Sequence, residues 1–102
     1  MIQKNTPEKS QKVQFAVDGR IMFSNSKTES ILLTVQPGEQ IPEHANPFDV
    51  LFIGIQGIAS ITGQSRSFTL EPCQTLFISG DEPRQLQNRT STIVKLMVIK
   101  IF

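Results

Sequence analysis

At 102 residues, 38% apolar and 19% charged, the chain has the size and composition of one packed domain near the small end of what folds alone, not of a disordered segment. Ten basic and nine acidic residues leave a net charge of +1 with no basic stripe to follow a phosphate backbone. With no Trp or Tyr to stack on bases, nucleic-acid binding is disfavoured.

In chain order, "MIQKNTPEKSQK" is polar and has no apolar stretch of the kind found in a signal peptide or anchor, so residues 1–12 read as a flexible N-terminal tail. The folded domain is expected over 13–102. "VQFAV" and "RIMF" flank Asp18-Gly19, a pair suited to a type I′ hairpin. "ILLTVQ" runs into Pro37-Gly38, "VLFIGI" ends at Gly57, and "IASIT" runs into Gly63-Gln64. "SFTL" and "TLFIS" are divided by "EPCQ", and "TIVKLMVIKIF" closes the sequence. Ser26 to Glu29 imitates a helix capping box, but the β-branched "SILLTV" behind it suits a strand. Short runs rich in Val, Ile, Phe and Thr, punctuated by turn residues, predict an all-β sandwich or barrel. "VLFIGI" is too short to span a bilayer, and a single cysteine, Cys73, allows no internal disulfide; both fit a cytoplasmic protein. "NRT" at Asn88 matches a glycosylation sequon by coincidence on that reading.

Two stretches carry a resemblance. Gly38, His44, Asn46, Val50 and Gly57 stand at the spacings of the first cupin motif, G-x5-H-x-H-x3-E-x6-G. Cys73, Ser79, Asp81, Arg84 and Asn88 stand at those of the second, G-x5-P-x-G-x2-H-x3-N. Gly38, His44, Gly57 and Asn88 match in identity. The chain therefore resembles the small single-domain cupins with degenerate metal motifs, and the resemblance implies a jelly-roll (double-stranded β-helix) barrel that pairs as a homodimer. The dimer is also expected from an apolar complement generous for so small a barrel.

In metal-holding cupins three histidines and a glutamate ligate the ion; those places fall here on His44, Asn46, Val50 and Arg84. An Asn carbonyl is a weak donor, valine cannot coordinate, and arginine is a permanent cation, so no native metal is expected. If a metal binds, its ligands would be His44, Asn46 and Asp49, the last turned inward by a bulge. The favoured function is a binding module that takes a small polar or anionic molecule. His44, Asn46 and Arg84 supply its polar contacts and Phe52 and Phe77 its apolar walls. The alternative is a metal-dependent enzyme of the isomerase or oxygenase kind. For Arg84 there is also the bland alternative of a surface arginine paired with Asp81 or Glu82. Asn88 is expected to bond turn backbone, Phe48 to be core or pocket wall, and Cys73 to be a small semi-buried residue.

Overall fold

The computed structural model describes residues 1–13 and 16–102. Among these residues a 3-10 turn, Pro7–Lys9, precedes ten strands: β1 (Gln11–Val13), β2 (Asp18–Ser24), β3 (Thr28–Val35), β4 (Gln40–His44), β5 (Asp49–Gln56), β6 (Ala59–Thr62), β7 (Ser67–Leu70), β8 (Thr75–Ile78), β9 (Arg84–Gln87) and β10 (Val94–Ile101). They form a six-stranded sheet, β1-β2-β3-β10-β5-β8, packed on a four-stranded sheet, β4-β9-β6-β7, and all pairings are antiparallel. Among the described residues no helix is long and apolar enough to cross a membrane.

The two-residue period of a strand decides what goes inside. Along β3 the inward set is Ile31, Leu33 and Val35; along β5 it is Val50 and Phe52; along β10 it is Val94, Leu96 and Val98. All of these are buried between the sheets. Ile61, Leu70, Ile78 and Leu86 complete the core from the other strands. A one-residue slip of β10 would replace Leu96 and Val98 by Lys95 and Met97, so the hydrophobic pattern fixes the register. Gly38 and Gly57 have φ of +83° and +71°, the left-handed conformation that their turn positions require.

Most expected strands are present, with three differences. Asp18-Gly19 is not a turn: both residues lie in β2, where Gly19 pairs with Val13 and Leu33. Gln14 and Phe15 of the expected strand "VQFAV" lie outside the described residues. The stretch assigned to the tail contains the 3-10 turn and, in Gln11 and Lys12, part of β1; Asn5 Nδ2 also donates to the Met22 carbonyl at 3.0 Å. Finally, β4 and β9 were not expected as strands, and these two hold the candidate site.

Candidate functional site

β4 is an edge strand, which is why it accommodates Pro42, and its only partner is β9. The pairing places His44, the last residue of β4, directly opposite Arg84, the first of β9. Behind them, between the sheets, lies a cavity of about 150 Å³. Ile31, Leu33, Phe52 and Leu86 provide apolar walls, and His44, Asn46, Arg84 and Lys100 provide the polar lining.

The polar groups differ in their state of satisfaction. His44 is exposed, and its Nδ1 lies 3.0 Å from the Pro42 carbonyl oxygen. A carbonyl only accepts, so Nδ1 carries the hydrogen and the neutral ring leaves Nε2 as an acceptor. Asn46 is half-buried, held by its own carbonyl accepting from the Asp81 N–H at 2.6 Å. Lys100 is inward-facing on β10 and pairs with Glu29 at 3.3 Å across the β3–β10 ladder, with its Nζ 5.6 Å from the Phe48 ring centroid.

The Arg84 Nε–H lacks such a partner among the described residues. The residue is 4% exposed, and among the described residues no acceptor reaches its Nε. The ion pairs found among them, Lys12–Asp18, Arg20–Asp18 and Lys100–Glu29, do not include it. Its guanidinium carbon lies 6.0 Å from the Phe52 ring centroid, at the outer limit of a cation–π contact. Burial pushes its pKa below the ordinary guanidinium value, since desolvation disfavours the charged form. The alternative of a surface arginine paired with Asp81 or Glu82 is therefore incorrect.

Of the residues expected at the site, His44, Asn46, Phe52 and Arg84 line this cavity, and two others do not. Phe77 alternates outward from Leu76 and Ile78 on β8 and is 57% exposed, so it is no wall of the barrel cavity. Asp49 also points away: Val50 and Phe52 face inward and no bulge interrupts β5 there, so Asp49 occupies the opposite face. Its Oδ1 instead accepts from the Gly80 N–H at 2.9 Å.

The donor set does not fit a divalent transition metal. Among the described residues no three His, Cys, Asp or Glu side chains gather as ligands. His44 is the one strong donor, Asp49 is turned away, and the Arg84 and Lys100 charges repel a cation.

Asn88 does bond turn backbone, as expected. Its buried Nδ2 donates to the Val35 and Thr92 carbonyls at 2.9 and 2.7 Å, and its Oδ1 accepts from the Thr90 N–H and hydroxyl at 2.9 and 2.6 Å. Phe48 packs against the core as anticipated. Cys73 is exposed rather than semi-buried, with φ +68°, and Asp81 has φ +65°. Both replace motif glycines and retain a glycine-like backbone. Sequence reasoning missed Lys100, although counting alternate residues from Leu96 and Val98 puts it on the inner face.

No family model matches the sequence, and no curated protein matches it. Solved structures match throughout. A predicted oxalate decarboxylase of Thermotoga maritima superposes with TM-score 0.86 at 10% identity, covering 98% of this chain and 99% of that one. A Cupin 2 conserved barrel domain protein of Salinispora arenicola gives 0.84 at 13% identity, over 100% and 89%. The Cupin_2 domain of an XRE family transcriptional regulator of Enterobacter cloacae gives 0.77 at 19% identity, over 85% and 97%. At these identities the likeness concerns the fold, and it agrees with the two-sheet antiparallel architecture and the motif spacing: the chain has the double-stranded β-helix fold of these cupin structures.

Proposed function

We propose that the chain is a binding barrel that works without a native metal and holds a small anionic or polar molecule through Arg84, with His44 and Asn46 as further contacts. One observation carries the reading: a buried arginine that lines a cavity, with no acceptor for its Nε–H among the described residues. A buried donor left unsatisfied costs about 1–3 kcal/mol, and a carboxylate or phosphate offers the planar, bidentate acceptor that removes the cost. His44 Nε2 accepts from a ligand hydroxyl when neutral and donates when protonated, and Asn46 does either. Nothing in this set supplies a nucleophile with its own base, so retention of a ligand is a better account than turnover. The cupin domain of the Enterobacter regulator supports a sensory or accessory role for such a barrel.

The test is a thermal-shift screen of carboxylates and phosphates. Occupancy at a hundred times the Kd adds about 2.7 kcal/mol, and Arg84→Gln is expected to abolish the shift while the fold persists. Shifts that persist in Arg84→Gln would make the arginine irrelevant to binding.

We further propose that two copies associate through the outer face of the six-stranded sheet. There Leu51 and Ile53 of β5 lie beside Ile99 and Met97 of β10, and Met97 lies beside Leu32 of β3, all half-buried on the face away from the core. A twofold pairing would cover this apolar patch with its own copy.

A further inference from the structure

A second cavity, of about 280 Å³, lies between β7 and β8, the outermost strands of the two sheets. Ile61, Phe68, Leu76, Ile78 and the outward-facing Phe77 form its apolar surface, and the Arg66 guanidinium carbon sits 4.8 Å from the Phe68 ring centroid. Arg84 is the one residue among those described that lines both this groove and the barrel cavity. Glu82 is the groove's only carboxylate and forms no ion pair among the described residues, so two guanidinium groups face a single acid.

Size separates the two spaces. Ligand pockets usually occupy about 300–1,000 Å³. The barrel cavity, at about 150 Å³, has room for a small anion and little else, whereas the groove roughly triples the space around the same arginine. We propose that the groove is the apolar half of the ligand site. A carboxylate pairs with Arg84, and its hydrocarbon body lies along Ile61, Leu76 and Phe68, so the chain prefers medium-chain or aryl carboxylates to small hydrophilic anions. This rests on the reading of Arg84 as the anion contact. It adds the class of ligand and a side of approach away from His44. Arg66 and Phe68 act as specificity-determining residues at the groove wall.

The experiment titrates acetate, butyrate and hexanoate into the full chain by calorimetry and follows backbone amide resonances in parallel. Each methylene buried strengthens binding about fourfold. Hexanoate is therefore expected to bind at least about tenfold more tightly than acetate, even with partial burial. Shifts at Phe68 and Leu76 should grow with chain length. Phe68→Ala should cut the advantage of hexanoate over acetate at least threefold; if that variant does not fold, the wild-type amide shifts decide alone. Acetate binding that depends on Arg84 but shows no gain with chain length overturns the groove proposal and leaves the anion site standing. So does a gain whose shifts are confined to Leu33 and Phe52. If none of the three binds, the groove proposal falls; if all bind Arg84→Gln equally well, both proposals fall.

Discussion

Replacing Arg84 by methionine is expected to stabilise the unliganded protein. The wild-type residue contributes a buried cation whose Nε has no acceptor among the described residues and whose aromatic contact with Phe52 is distant. Removing one unsatisfied buried donor relieves about 1–3 kcal/mol. Methionine retains most of the apolar stem that packs beside Phe52 and Leu86, so little packing is lost. A net gain of about 1–2 kcal/mol follows, which for a domain of this size raises Tm by roughly 4–16 °C. The pH dependence has a definite sign. Burial lowers the folded-state pKa of Arg84, so the folded chain holds that proton less tightly than the unfolded chain, and the penalty persists until strong alkali. The gain should therefore be constant between about pH 5 and about pH 9. Calorimetric or circular-dichroism melts of both proteins in a buffer free of carboxylate and phosphate provide the measurement. An Arg84→Met protein that melts at or below the wild-type temperature would falsify the claim that the buried Nε–H carries an unrelieved cost.

Four further outcomes are expected. Asn88→Ala removes four hydrogen bonds joining β3, β9 and the 88–92 turn, and urea unfolding should show a loss of about 2–3 kcal/mol; a loss under about 0.5 kcal/mol would show that water replaces them easily. Cys73→Gly relieves a positive φ at an exposed side chain, and should gain about 0.5–1 kcal/mol after the entropic cost of glycine. Light scattering should give twice the chain mass, and Ile53→Lys on the outer face should reduce it to one without altering the far-ultraviolet spectrum. Elemental analysis of protein purified without added metal should find no stoichiometric Fe, Mn, Ni or Zn; one equivalent, lost on His44→Ala, would contradict the donor chemistry.

The core strands were legible as short runs rich in β-branched and apolar residues bounded by turn residues, as in "ILLTV", "VLFIGI" and "VKLMV". The strands of the site were not, for the same physical reason. β9 reads "RQLQ", with Leu86 as its single apolar residue, because Arg84 occupies an inward position that would otherwise carry a hydrophobe. β4 reads "QIPEH", a proline-bearing edge with little to bury. A polar-lined cavity erases the hydrophobic pattern of the strands that build it, and motif spacing was the signal that still pointed there. Spacing placed His44, Asn46 and Arg84 together, but could not fix side-chain direction at Asp49 and Phe77. Strand parity settled both once β5 and β8 were in register. Nor could the sequence separate a buried Arg84 from a surface one beside Asp81 and Glu82; that depends on which sheet face β9 presents to the core.

Anion binding as proposed requires the Arg84 Nε–H to donate to the bound anion. Its side-chain resonance in a proton–nitrogen correlation spectrum reports on that atom, with Arg84→Gln identifying the signal. On titration with hexanoate or phosphate, the signal is predicted to move downfield saturably, and its exchange with water to slow. A signal that stays in place while anion binding saturates by calorimetry would place the anion away from Arg84.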